Sequence, residues 1–200
     1  MYKSDRPQIV FFAGVNGAGK STVYQLAKAK VPSLSSLIYI NPDVLTEGFN
    51  GDFIKGAKTA LRKRQACLDL NISFAFESTF SGKSEFRVLE EAKSKGYKIN
   101  GVLVGVNNSA INYQRVRQRV SLGGHAVNKE DVLRRAIRLK MNYQDMVELC
   151  DRLYVVDNNR SKPFLAVIIK DKKVIRCRPP QGWVQEFMTA IRIRNKEAER

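Results

Sequence analysis

Histidine and cysteine are scarce in this sequence of 200 residues. Its one histidine, His125, is too little for a histidine-based triad or a multi-histidine metal site, and we expect it in a turn or in packing. The three cysteines, Cys67, Cys150 and Cys177, form no C-x-x-C pair, which excludes a disulfide framework and a zinc site of paired cysteines. This cysteine usage favours the reducing cytoplasm.

Long apolar runs and low-complexity stretches are also missing. No run of about 18 apolar residues occurs, so we expect no membrane span, and residues 1–7 do not resemble a secretory signal. There is no linker rich in Pro, Gly or Ser and no internal repeat. With 44% hydrophobic residues, the length suits one soluble domain over residues 1–200.

Acidic residues are few: 19, against 35 basic ones, for a net charge of +16. This balance indicates an anionic substrate or partner. The basic segment 191–194 adds to the case for nucleic acid, but the sequence has no RNP motif, zinc finger or interleaved aromatic pattern. Nucleic-acid binding therefore has only weak support.

Short apolar runs alternate with helical patterns, which predicts an α/β fold with a mainly parallel, buried sheet. A Gly-Gly segment at 122–127 joins two further helical patterns that look like a lid inserted at about 110–150. A β-hairpin and a last helix are expected near the end of the chain. The predicted strands cover residues 9–13, 37–40, 72–76, 99–106, 153–156, 164–169 and 174–177, and the helices 20–29, 53–70, 84–95, 112–121, 129–149 and 181–194.

Residues 14–21 read Gly-Val-Asn-Gly-Ala-Gly-Lys-Ser, which matches G-x-x-x-x-G-K-[ST] directly after a predicted strand. In such a loop, glycines let backbone N–H groups turn towards phosphates at a helix N-terminus. Lys20 would reach the β- and γ-phosphates of ATP, and Ser21 would bind the bridging Mg²⁺. The expected nucleotide contacts are Gly14, Asn16, Gly17, Ala18, Gly19, Lys20, Ser21 and Thr22.

Three predicted strands end at an acidic residue. Asp43 is a candidate base for an acceptor hydroxyl, because strand C-termini line the crevice of a parallel sheet; the alternative is a turn with Asp43 as a helix cap. Glu77, with Ser78 and Thr79 after it, is expected to bind the acceptor or assist magnesium. Asp157 has the same pattern but is more typical of a turn, and the pattern alone does not choose between it and Glu77.

Arginines stand on both sides of the Gly-Gly segment. Guanidinium groups brought in by lid closure can neutralise the charge that develops in phosphoryl transfer. For any single arginine a solvated helix face is an equal alternative, but as a set they favour function. They are Arg115, Arg117 and Arg119 before the segment, and Arg134, Arg135 and Arg138 after it.

These motifs together resemble the zeta-toxin family of P-loop kinases, especially its small bacterial members. The likeness is carried by residues 14–21, by Asn-Pro-Asp at 41–43, by Glu-Ser-Thr-Phe-Ser-Gly at 77–82 and by 119–135 with its Gly-Gly-His turn. It implies a nucleoside-monophosphate-kinase-like fold and ATP-dependent phosphorylation of a sugar hydroxyl of uridine diphosphate N-acetylglucosamine. The small members lack much of the toxins' substrate-binding region, so we expect a nucleotide-linked sugar or a related anionic metabolite as acceptor.

The resemblance also implies residue roles and partners. It makes Lys20 the phosphate-loop lysine, Ser21 the Mg²⁺ ligand, Asp43 the acceptor-activating aspartate and Glu77 an acid near the acceptor. Two alternatives remain: a nucleic-acid-linked ATPase or polynucleotide kinase, and a nucleotide-binding toxin controlled by a separate antitoxin chain. The lid arginines that match family residues contacting the nucleotide phosphates are Arg119 and one of Arg134 and Arg135, with no choice between the last two.

Overall fold

The computed structural model describes residues 6–124 and 126–198, with side chains as far as Ile191. This part of the chain contains one seven-stranded sheet, in the order β2-β3-β1-β4-β5-β6-β7. Strands β1 to β5 are parallel, and β6 and β7 pair antiparallel, which confirms the predicted α/β fold. The strands are β1 (Gln8–Ala13), β2 (Ile38–Ile40), β3 (Phe74–Ser78), β4 (Lys98–Gly105), β5 (Arg152–Asp157), β6 (Phe164–Lys170) and β7 (Lys173–Cys177).

The central strands are buried on both faces. Successive side chains of a strand point to opposite sides of the sheet, yet Phe11 and Phe12 are both fully buried. Such burial is typical of a parallel sheet covered by helices on both sides. The register sets Ala13 beside Ser78, so the carboxyl ends of β1 and β3 lie at one edge of the sheet. The segments that follow these strands form the candidate site.

The helices follow the predicted pattern with three differences. The predicted helix 129–149 is two helices, separated at Asn142, whose side-chain amide donates a hydrogen bond of 2.8 Å to the carbonyl oxygen of Phe80. Two short helices that were not predicted, α2 and α3, each begin with a proline at the first position, where its missing N–H has no cost. The helices are α1 (Lys20–Lys30), α2 (Pro32–Ser35), α3 (Pro42–Glu47), α4 (Phe53–Asp69), α5 (Ser84–Ser94), α6 (Ser109–Ser121), α7 (Lys129–Met141), α8 (Tyr143–Leu149) and α9 (Trp183–Ala198).

The end of the chain adds the predicted hairpin and helix. β6 and β7 are joined through Asp171 and Lys172, both with positive φ, as a tight hairpin turn requires. Helix α9 packs on α8, where the rings of Tyr143 and Phe187 meet edge to face at 4.9 Å. Within the described residues, no helix has the length and apolar character needed to cross a membrane.

Candidate functional site

The glycine-rich loop connects β1 to α1 and is tightly fitted to its surroundings. Gly17 and Gly19 have φ values of 80° and 93°, which side chains rarely adopt. A Cβ on Gly17 would lie 2.1 Å from the carbonyl oxygen of Asn112, and one on Gly19 would lie 2.2 Å from Nδ2 of Asn158. The backbone conformation of this loop therefore depends on glycine at both positions.

The N-terminus of α1 is suited to bind an anion. No side chain caps α1, whose N-cap residue is Gly19 and whose first turn contains no acidic residue. Uncapped N–H groups and the helix dipole favour phosphate at such an end. The predicted phosphate loop thus has the local geometry that its motif requires.

A hydrogen bond from Asn158, in the segment after β5 that the sequence predicts as a turn, supports the glycine-rich loop. Asn158 is buried, and its Nδ2 donates a hydrogen bond of 2.8 Å to the carbonyl oxygen of Ala18. Arg115, from the start of the lid, donates one of 3.0 Å to the carbonyl oxygen of Asn158. Asn158 follows a strand in a polar Asp-Asn-Asn segment, and no feature of that segment distinguishes its role from an ordinary turn.

Glu77 lies beside Ser21. Its carboxylate is 5% exposed and accepts a hydrogen bond of 3.0 Å from the Ser21 hydroxyl. The hydroxyl of Tyr39 donates to the other carboxylate oxygen, and burial, with the Glu77 charge, raises the pKa of Tyr39 far above its ordinary value. Mg²⁺ prefers oxygen ligands and is usually bound through one or two of them together with nucleotide phosphates, so Ser21 and Glu77 fit this ion.

The backbone at Glu77 is fixed by a buried cation. Arg64 of α4 is 2% exposed, donates a hydrogen bond of 3.1 Å to the carbonyl oxygen of Glu77, and stacks its guanidinium 4.3 Å from the centre of the Phe76 ring. Burial lowers the pKa of Arg64 to about 10. Neither Arg64 nor Tyr39 is predicted from the sequence as a site residue, because each lies in an element whose pattern indicates only packing.

Lys20 lies among the charges of the site. Its ammonium group donates a hydrogen bond of 3.3 Å to the carbonyl oxygen of Val15. Burial lowers the pKa of Lys20, the carboxylates of Glu77 and Asp43 oppose this shift, and Arg119 and Arg135 add to it. Residues from four different segments therefore act electrostatically on one lysine.

Asp43 faces this cluster from the first turn of α3. The cap of α3 is Asn41, whose side chain accepts a hydrogen bond of 2.9 Å from the backbone N–H of Asp43, so the helix-start interpretation was correct but the cap is a different residue. The Asp43 carboxylate is 45% exposed and accepts a hydrogen bond of 3.1 Å from Arg119 of the lid helix α6. Asp43 is thus accessible to a ligand.

The structure gives the adjacent residues Arg134 and Arg135 different contacts. Arg135 donates a hydrogen bond of 2.7 Å to Oδ1 of Asn16 in the glycine-rich loop. Arg134 forms an ion pair with Asp131, one turn earlier on its own helix, and is more than half exposed. Only Arg135 of this pair contacts the loop.

Three other predicted residues, Ser78, Thr79 and Asp157, each have a hydrogen-bond partner within the fold. The hydroxyl of Ser78 donates a hydrogen bond of 2.6 Å to Glu85, whereas Thr79 forms one of 2.9 Å with Ser81, so both side chains shape the segment after β3. Asp157 accepts a hydrogen bond of 3.0 Å from the indole of Trp183 and serves to attach α9. His125 lies outside the described residues.

Sequence comparison adds a family likeness to this geometry. The family model described as zeta toxin matches residues 1–51, which include the glycine-rich loop and Asp43. The resemblance to zeta toxins is confirmed. The chain is also 28% identical over 125 residues to an uncharacterized protein of Haemophilus influenzae, an alignment that covers 62% of this chain and 89% of that protein.

Solved structures of similar fold extend the likeness beyond residue 51. The structure of the PezAT toxin-antitoxin system of Streptococcus pneumoniae matches 98% of this chain and 88% of its own, with 14% identity and a TM-score of 0.60. AvrRxo1-ORF1:-ORF2 with ATP matches 94% of this chain and 64% of its own, with 13% identity and a TM-score of 0.71. The Pnkp1/Rnl/Hen1 RNA repair complex matches 82% and 51%, with 15% identity and a TM-score of 0.55. The fold is that of the P-loop kinases.

Proposed function

We propose that this chain is a phosphotransferase that transfers the γ-phosphoryl group of ATP to a hydroxyl of a small anionic metabolite, such as a nucleotide-linked sugar. The observation that carries the proposal is the arrangement around Lys20, where the accessible Asp43 carboxylate acts electrostatically on the lysine and accepts a hydrogen bond from Arg119. A phosphoryl acceptor needs a carboxylate in this position to take its proton.

The phosphate-binding roles follow from the contacts. The backbone of residues 14–22 would surround the β- and γ-phosphates, with Lys20 and the N-terminus of α1 supplying positive charge. Ser21 and Glu77 would hold Mg²⁺, Glu77 directly or through water. When bound, this ion supplies positive charge between the phosphates. Asp157 is left without such a role, since it binds Trp183.

In the transfer step, Asp43 would act as the general base. Its carboxylate takes the hydroxyl proton as the acceptor oxygen bonds to the γ-phosphorus, and the bond from that phosphorus to the bridging oxygen breaks to release ADP. Arg119 and Arg135 would shield the charge on the phosphoryl oxygens, because both act on Lys20 and one already contacts the loop. Arg134, paired with Asp131, is dropped from this set. Ser78 and Thr79, which follow Glu77, would contribute to the acceptor-binding side of the site.

Two variants test this assignment in one assay. Lys20→Ala should abolish both ATP binding and turnover. Asp43→Asn should keep nucleotide binding, measured by calorimetry with ATP and Mg²⁺, and lose transfer, measured as a gain of one phosphate in a metabolite mixture. A full transfer rate in Asp43→Asn would place the base elsewhere.

A second candidate is phosphorylation of a nucleic-acid end. The net charge of +16 and the fold likeness to a component of an RNA repair complex favour it. Binding to RNA or DNA oligonucleotides that collapses with added salt, together with phosphate transfer to their ends, would support this candidate against the metabolite.

The remaining proposals concern the domain organisation of the chain, its location in the cell and its protein partners. We infer a single kinase domain over residues 1–200 with a lid at about 110–150, located in the cytoplasm. The likeness to a toxin-antitoxin system supports a separate antitoxin chain as a further partner. Co-purification of a small acidic protein with the chain would support that partner.

A further inference from the structure

A cleft of 630 Å³ lies between the start of α5 and the junction of α7 and α8. One wall is the segment after β3, where Ser81 and Gly82 line the cleft. Asn142 lines the opposite wall and donates its hydrogen bond to the carbonyl oxygen of Phe80, so the two walls are tied together at one end. The cleft therefore borders the same segment that begins with Glu77.

Three cations line this cleft without forming a salt bridge to any described residue: Lys83, Arg87 and Arg138. Arg134 and Lys140, on the same helix as Arg138, are both ion-paired. Positive side chains that converge on a concave surface concentrate their field there and attract anions.

The other lining groups indicate what kind of anion fits. Phe86 and Met141 supply an apolar surface, and the carboxylate of Glu90 can accept hydrogen bonds from hydroxyl or amine groups. The start of α5, at Lys83, has no side-chain cap. Guanidinium groups bind phosphate with paired hydrogen bonds, so a phosphate monoester on a partly apolar carrier suits the cleft best.

We propose that this cleft binds a phosphate group of the acceptor, at the end remote from the hydroxyl that reacts. The inference rests on the proposed function, and it narrows the acceptor to an elongated, already phosphorylated molecule. Ser81 follows Glu77 by four residues, a separation of at most about 14 Å along an extended chain. The cleft therefore lies within the length of one small molecule from Glu77.

The test measures binding of inorganic phosphate to the full chain while a non-hydrolysable ATP analogue and Mg²⁺ fill the nucleotide site. Titration is followed by amide NMR shifts of Ser81, Gly82 and Asn142. Arg87→Gln and Arg138→Gln should each weaken phosphate binding about tenfold, because each loses charge-assisted hydrogen bonds. Both side chains are exposed, so the variants should fold.

Arg134→Gln is the matched control, four residues from Arg138 on the same helix, and it should change the affinity less than about twofold. An equal loss in this control, or no phosphate-dependent shift in the wild type, would overturn the inference. Asp43→Asn separates the two proposals, since it should abolish transfer and keep phosphate binding. Suppose that the wild type transfers phosphate to an acceptor and that Arg138→Gln has the same kcat/KM for that acceptor. The cleft inference then fails and the kinase assignment stands.

Discussion

The hydroxyl of Tyr39 offers a sharp test of the site, because Tyr39→Phe removes one oxygen atom and leaves the ring. That ring stacks on Tyr24 at 3.7 Å with an angle of 3° between planes, a contact that phenylalanine keeps. The main lost interaction is the hydrogen bond that the hydroxyl donates to the Glu77 carboxylate, and a longer one of 3.4 Å, which it accepts from the side-chain amide of Asn41, is lost with it. A hydrogen bond to a charged group contributes about 1.5–3 kcal/mol, and little water can replace it because Glu77 is 5% exposed.

We therefore expect Tyr39→Phe to lower the free energy of unfolding by about 1.5–3 kcal/mol in urea denaturation at neutral pH. Because the same carboxylate would hold Mg²⁺, the apparent affinity for Mg²⁺ in the presence of ADP should also fall, by about tenfold or more. Calorimetry with and without Mg²⁺ measures that effect separately from turnover.

Tyr24→Phe is the matched control. The Tyr24 hydroxyl makes no hydrogen bond to a described residue, so the substitution should lower the free energy of unfolding by less than about 0.5 kcal/mol and leave Mg²⁺ affinity unchanged. Equal effects in the two variants would mean that the hydrogen bond from Tyr39 to Glu77 is not the cause of the loss. An unchanged stability in Tyr39→Phe would refute the argument from the buried carboxylate.

The other predictions concern the loop and the lid. Gly17→Ala should destabilise the protein by more than about 1 kcal/mol and abolish nucleotide binding, as read by thermal unfolding with and without ATP, because its Cβ would meet the Asn112 carbonyl oxygen. Arg135→Ala should slow transfer at least about tenfold, whereas Arg134→Ala should leave kcat within about twofold; similar values would contradict the assignment. The pKa of Lys20 is lowered by folding, so the folded state binds fewer protons than the unfolded state just below pH 10.5. Stability should therefore rise with pH in that window, and Lys20→Met should remove this part of the slope and raise the free energy of unfolding at neutral pH.

The parts of the site that follow from local sequence were predictable. The glycine-rich loop is a contiguous motif, Asp43 follows β2 and Glu77 lies near the carboxyl end of β3, so the order of strands brings them together. Tyr39 and Arg64 were not predictable, because their roles depend on which side of Glu77 they approach in three dimensions. The same holds for the choice between Arg134 and Arg135, which depends on the rotation of α7 about its axis.

Hydrogen bonds connect the glycine-rich loop to Trp183: Asn158 binds Ala18 of the loop, and the preceding residue, Asp157, binds the Trp183 indole. This connection has a practical use. Trp183 is the sole tryptophan of the chain and is 4% exposed, and its indole is hydrogen-bonded one residue away from the amide that supports the phosphate loop. Its fluorescence should report directly on loop occupancy, giving a label-free optical signal for ligand screening without any engineered dye.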